Sequence, residues 1–340
     1  MHHSVRLMLS QKMLDQLGPK ILQHTQGYPL ELVSIESAVT LQRRDIDLVF
    51  ISREVTGAST KHQVHPELKA CYDLMLHNDA LKWVHIHSAG ADRPVYESLV
   101  RRGVQISTSS GANARVVAAM ALAGLLALNK RFPMLWAQQQ AREWLPLLGA
   151  GRMPRDLPGQ TATVVGWGPI GQELGQLLKT LGLNVIAVRT QAVGQENGIE
   201  MVRFEGMQAV MPQTDWLILA CPLTHTTRAL VNKRVLQALP LGAHLINVAR
   251  GEVVVQQELI DALQSGQLHG AFLDVFDTEP LPSDSPLWAM PNVMITPHAA
   301  GHSDGNAARV SQMFVENLQR WLAGQPLNNR VNPLGADPAH

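Results

Sequence analysis

The run Thr163-Val164-Val165-Gly166-Trp167-Gly168-Pro169-Ile170-Gly171 constrains this chain more than any other feature. A GxGxxG turn follows an apolar β-branched run and precedes leucines at 174, 177, 178 and 181, the spacing of one helix face. A strand that turns this tightly into a helix is built to hold phosphate. Gly166 permits the turn, Gly168 lets the backbone approach a pyrophosphate, and Gly171 lets helix and strand pack closely. Pro169 occupies a first-turn position where its missing N–H costs least. With Ile170 it opens the helix whose N-terminus faces the phosphates.

The surrounding pattern is that of an α/β protein. Residues 6–9, 30–35, 47–51, 81–86 and 104–107 read as strands, and 11–24, 66–77 and 94–102 as helices. Helical stretches follow at 113–130 and 132–143, then a Pro/Gly-rich loop over 145–159. From Thr161 a more regular series gives six strands, at 161–165, 185–188, 216–220, 244–248, 270–274 and 293–296. One helix over 304–322 and an extended tail from 328 close the chain. Such alternation implies mainly parallel sheets flanked by helices.

Length and composition remove several classes. At 340 residues the chain is long enough for about two domains. Hydrophobic residues are 46% and charged residues 16%, which excludes disorder as the main state. Lys plus Arg and Asp plus Glu are 28 each, a balance that argues against a nucleic-acid partner. The longest apolar run, 116–128, falls short of the ~18 residues of a membrane span. The opening Met1-His2-His3-Ser4-Val5-Arg6 is not a secretory signal. Cys71 and Cys221 stand far apart with no CxxC spacing, so the expected home is a reducing cytoplasm.

The strand after the glycine turn ends at Arg189-Thr190. An NAD enzyme usually places Asp or Glu there to bind the adenosine ribose hydroxyls. A guanidinium instead pairs with a 2′-phosphate, so NADP(H) is favoured, with NAD(H) possible.

Three later segments carry candidate acid–base chemistry: Asn247-Val248-Ala249-Arg250-Gly251-Glu252, Asp274-Val275-Phe276-Asp277-Thr278-Glu279-Pro280-Leu281, and Thr296-Pro297-His298-Ala299-Ala300-Gly301. Each follows a strand, which puts Arg250, Glu279 and His298 on the carboxyl edge where open α/β sheets bind ligands. Arg suits an α-keto acid as carboxylate anchor and carbonyl polariser. His suits proton transfer, and Glu orients the imidazole and favours its cationic form. His85 and His87 stand two apart on a strand with no further ligand in view. They read as structural or pocket-lining, and no metal is expected.

Over nearly its whole length the chain resembles the D-isomer-specific 2-hydroxyacid dehydrogenases. The resemblance lies in GWGPIG, ACPLTHTTRALVN, LINVARGEVVVQQELIDALQSGQLHGAFLDVFDTEPLP and SPLWAMPNVMITPHAAG. It implies two Rossmann-like domains, with the dinucleotide-binding domain (111–300) inserted into a flavodoxin-like substrate domain (1–110 plus 301–340) and the active site in the cleft between them. By resemblance Arg250, Glu279 and His298 are the catalytic trio, and Gly90 and Ala91 bind the substrate carboxylate through backbone N–H groups. Asp274 matches the residue that holds the nicotinamide carboxamide, Pro222 the proline beside the adenosine, and Val248 a backbone contact near the nicotinamide. The implied activity is NAD(P)H-dependent interconversion of 2-keto and D-2-hydroxy acids. The alternative is a cofactor-sensing corepressor of the same fold. Glu279 stands where formate dehydrogenases carry Gln, and Ala119 departs from a common Val-Ala-Glu at 117–119. The family's mode of assembly implies a homodimer through the cofactor domains, using 112–151, where Trp136 and Trp144 lie.

Overall fold

Five short apolar strands, β1 (Val5–Leu9), β2 (Leu30–Ser34), β3 (Leu48–Ile51), β4 (Trp83–Ile86) and β5 (Gln105–Thr108), pair in parallel in the order β2-β1-β3-β4-β5. This is the flavodoxin-like doubly wound order. The computed structural model describes residues 4–331 apart from 26, 58, 60–62, 150–151 and 192–193. In it the sheet belongs to one of two units, Met1–Ala112 with Ser303–Ala339; the other is Asn113–His302. The expected extended tail lies from 332 onward outside the described residues.

Strand alternation gives the first unit a core on each face of its sheet. Met8, Val49, Val84 and Ile86 pack on one side, and Leu7, Leu9, Leu48, Phe50 and Trp83 on the other. The second face is covered by the C-terminal helix Asn306–Leu322, whose Phe314 stacks on Phe50 with ring centroids 4.3 Å apart. His85 is buried here, hydrogen-bonded through Nδ1 to Ser107 Oγ (2.7 Å) and through Nε2 to Ser109 Oγ (3.1 Å). Burial pushes its pKa down to about 3, so the imidazole is neutral at physiological pH. His87 bonds Thr56 Oγ1 at 3.0 Å, so both histidines are held by hydroxyls.

The second unit holds β6 (Thr161–Val165), β7 (Asn184–Arg189), β8 (Gln195–Glu196), β9 (Ile199–Arg203), β10 (Trp216–Leu219), β11 (Ala243–Asn247), β12 (Leu268–Leu273) and β13 (Val293–Ile295). They form one eight-stranded sheet in the order β13-β12-β11-β10-β6-β7-β9-β8, parallel except for the β8–β9 hairpin. This corrects the expectation of six strands. β8 and β9 carry Glu196, Glu200 and Arg203 at exposed positions, so their apolar signal is too weak to stand out. Strand order reverses between β6 and β10, and ligands bind at such a switch point in open α/β sheets.

Alternate residues again build two cores: Val165, Leu217, Leu219 and Leu245 on one face, and Ala162, Val164, Trp216, Ile218 and Ile246 on the other. The helix Ala114–Asn129 lies on the second face, with Val117, Ala118, Ala121, Leu125 and Leu128 buried. No single helix among the described residues is long and apolar enough to cross a membrane. A Cβ added at Gly124 of this helix would come within 2.4 Å of Phe272 Cγ, at the root of the ring, where little can yield.

Gly124→Val should therefore overpack the helix–sheet interface and cost about 1–3 kcal/mol. A lowered urea midpoint would show it; an unchanged midpoint would mean that helix and sheet are not seated this closely.

Candidate active site

The glycine turn has the geometry of a phosphate cradle. Gly166 has φ +100°, and a Cβ there would meet Cys221 Cα at 2.5 Å, so β6 and the end of β10 touch backbone to backbone. A Cβ at Gly171 would meet Gly166 O at 2.0 Å, which locks helix to turn. At Gly168 nothing lies within 4 Å of an added Cβ. The backbone is thus bare where a ligand would approach. Gly168 caps the helix Pro169–Thr180, whose first-turn N–H groups, at Ile170 and Gly171, have no intrahelical acceptor. Bare backbone, unused donors and a helix N-terminus together fit a dinucleotide's pyrophosphate.

Around the cradle, Pro222 is exposed just after β10, its carbonyl accepting from Thr227 Oγ1 at 2.6 Å. Arg189 ends β7, next to β6 in the sheet, with Nη1 3.9 Å from Glu196 Oε2, and Thr190 follows it exposed. Val248 is buried after β11, its N–H donated to Leu219 O at 3.2 Å.

On the other side of the switch point, β11, β12 and β13 are neighbours, and their carboxyl ends carry the acid–base residues. His298 Nδ1 and Glu279 Oε2 are 2.8 Å apart. The other Glu279 oxygen accepts the Phe276 N–H at 3.1 Å. Burial alone would raise the Glu279 carboxyl. The hydrogen bond and charge of His298, the Phe276 N–H and the nearby Arg250 outweigh it and hold the group below its ordinary value. With Nδ1 committed to Glu279, the imidazole keeps Nε2 for a reacting oxygen. The structure therefore brings Glu279 and His298 into contact and Arg250 within electrostatic reach.

Three supports for this cluster were not legible as such in the sequence. Asp274, buried at the end of β12, accepts from Thr296 Oγ1 (2.5 Å), Ala299 N (2.8 Å) and Ala300 N (3.0 Å to Oδ2), while its carbonyl accepts the His298 N–H at 2.8 Å. Asn247, buried at the end of β11, accepts from Ala249 N and donates to Arg250 O, both at 3.0 Å. Gly251 lets the Arg250 loop lie against the Glu279 loop, since a Cβ there would fall 1.8 Å from Phe276 C. The available signal was position: a buried-type amide and carboxylate directly at strand ends, and a glycine directly after the arginine.

Gly90 and Ala91 belong to the first unit, in the loop after β4, where Ser88 Oγ donates to Gly90 O at 2.8 Å. Among the described residues, no hydrogen bond uses the backbone N–H of either. No group of three or more His, Cys, Asp or Glu among the described residues could hold a metal ion.

Because the folded-state pKa of Glu279 lies below its unfolded value, its ionised form stabilises the fold above the ordinary carboxylate range. That contribution is lost as pH falls through the lowered value. Glu279→Gln should thus be less stable than the unmutated chain at pH 7, and the gap should close as pH drops below about 4.5. Urea midpoints against pH would test this, and a gap that did not vary with pH would mean that no charge pairing forms at this position.

Comparison with known proteins supplies the family. Residues 122–300 match the model of the "D-isomer specific 2-hydroxyacid dehydrogenase, NAD binding domain". The chain is 31% identical over 261 residues to a glyoxylate reductase of Korarchaeum cryptofilum, covering 74% of this chain and 76% of that protein. It is 32% identical over 250 residues to glyoxylate/hydroxypyruvate reductase B of an Enterobacter species, covering 72% and 76%. An NADPH-dependent glyoxylate/hydroxypyruvate reductase from Sinorhizobium meliloti, solved with NADP and sulfate, superposes with a TM-score of 0.73 at 26% identity, over 97% of this chain and 99% of that one. A glycine cradle at the sheet's switch point, a His–Glu pair on the same edge and these matches agree: the chain belongs to the D-isomer specific 2-hydroxyacid dehydrogenases.

Proposed function

We propose that this member of the family reduces small 2-keto acids to D-2-hydroxy acids, with Arg250, Glu279 and His298 as its catalytic residues and NADP(H) as its preferred cofactor. The observation that carries the reading is the 2.8 Å contact between His298 Nδ1 and Glu279 Oε2 at a strand-end edge that also bears Arg250. When bound, a nicotinamide cofactor supplies the hydride that reduces C2 of the keto acid. The chain's own residues supply the rest. Arg250 holds the substrate carboxylate and polarises the carbonyl. His298, protonated, donates from Nε2 to the keto oxygen as negative charge develops there. Glu279 fixes the ring orientation and stabilises its cationic form. Gly90 and Ala91 offer backbone N–H groups to the carboxylate. Asp274, whose Oδ2 accepts from Ala300 N alone among the described residues, would hold the nicotinamide carboxamide. Reduction consumes the imidazole proton, and oxidation of the hydroxy acid returns one to the ring.

The NADP(H) preference rests on Arg189 where a ribose-binding carboxylate would stand. The S. meliloti relative, described as NADPH-dependent, supports it. The buried free thiols Cys71 and Cys221 accord with a reducing compartment.

A panel of 2-keto acids with glyoxylate and hydroxypyruvate first, assayed with NADPH and NADH, tests the reading. His298→Ala should lower kcat roughly 10²–10⁴-fold while leaving NADPH binding, followed by fluorescence, unchanged. Arg250→Ala should raise KM for the keto acid as well as lower kcat. Near-full turnover in His298→Ala would remove the acid–base assignment.

We assign the exposed apolar segment after Arg131 to a dimer interface. The helix Phe132–Ala141 buries none of its residues, and Phe132 (54%), Trp136 (65%), Trp144 (95%) and Leu148 (72%) are all exposed. Exposed large apolar side chains gathered in one segment suit a contact surface, and a second copy placed about a two-fold axis would cover them on both chains. Light scattering should give a dimer at micromolar concentration, and Trp136→Glu with Trp144→Glu should shift it to monomer. A monomer in the unmutated protein would contradict the assignment.

A further inference from the structure

We infer that Arg203 is a second guanidinium of the adenosine 2′-phosphate site, acting with Arg189. The inference deepens the NADP(H) reading and rests on it. It comes from a strand the sequence did not disclose. In the parallel pairing of β7 with β9, Arg189 and Arg203 are direct partners in register. In-register residues of parallel neighbours point to the same side of the sheet, with backbones about 5 Å apart. Two steps back along each strand, Ala187 and Met201 are buried in the core that also contains Leu174 and Leu178 of the helix Pro169–Thr180. Both arginines therefore emerge on the face that carries the phosphate-binding helix, and at the strand ends that share its N-terminal edge.

A doubly charged phosphate held by both guanidinium groups would gain charge-assisted, fork-shaped hydrogen bonds from each side. Glu196 Oε2, 3.9 Å from Arg189 Nη1 and on an exposed side chain, is at the limit of ion pairing and can yield to such a ligand. An unphosphorylated ribose would offer neither guanidinium a charge partner. Arg203 is thus a specificity-determining residue remote from the reacting atoms.

Titration calorimetry with adenosine 2′,5′-bisphosphate and with 5′-AMP reads the site without turnover. The unmutated protein should bind the bisphosphate more tightly, and increasingly so as salt is lowered. Arg203→Gln should weaken the bisphosphate about tenfold or more, as Arg189→Gln should, with 5′-AMP changed by less than about threefold. Arg203→Lys should fall between. Arg203 is exposed, so the melting temperature should not move. If the unmutated protein does not distinguish the two nucleotides, the NADP(H) reading itself fails and the pair with it. If it does distinguish them and Arg203→Gln binds the bisphosphate undiminished, the preference stands and the role of Arg203 is overturned.

Discussion

The carboxylate of Asp274 is the group on which the reactive edge depends. It is 1% exposed, at the end of β12, and the next strand's loop is wrapped around it. Thr296 Oγ1 and the backbone N–H groups of Ala299 and Ala300 all converge on its oxygens. That wrapping holds His298 at φ +51°, a left-handed conformation that costs a non-glycine residue on the order of 1–3 kcal/mol. Hydrogen bonds to a buried charge contribute about 1.5–3 kcal/mol each, so several of them outweigh the strain. The return is positional: the imidazole meets Glu279 with one nitrogen and presents the other.

The same device recurs one strand away. Asn247 ends β11 and uses both halves of its amide to shape the loop that carries Arg250. Asp274 N–H donates to Asn247 O at 3.0 Å, so the two braces are themselves connected. Gly251 then lets the Arg250 loop sit against the Phe276–Asp277 backbone, closer than any side chain would allow. Arg250, Glu279 and His298 thus share one sheet edge on loops held by backbone-directed hydrogen bonds and close backbone approach. This leaves the functional atoms exposed enough to react, with His298 at 47%, while their backbone is fixed.

The strand order separates two tasks. β11, β12 and β13 carry the acid–base residues on one side of β6 and β10, while β7 and β9 carry Arg189 and Arg203 on the other. On the proposed reading, cofactor-selecting and reacting residues can therefore vary independently on one scaffold, as sites grafted on a shared fold do.

The sequence by itself determined the nucleotide turn, the strand-end placement of Arg250, Glu279 and His298, and most strands and helices to within a few residues. These are local matters: glycine freedom, proline at a first helical turn, and apolar periods of two or three to four. Tertiary structure alone decided the rest. β9 lies one strand in from the sheet edge, its half-polar run Ile199-Glu200-Met201-Val202-Arg203 carries little signal, and only pairing with β7 brings Arg203 beside Arg189. Asp274 meets its partners 22 to 26 residues onward, and Gly251 meets Phe276 across a neighbouring strand. Contacts of that range depend on register and on close backbone approach, which no local pattern of residues encodes.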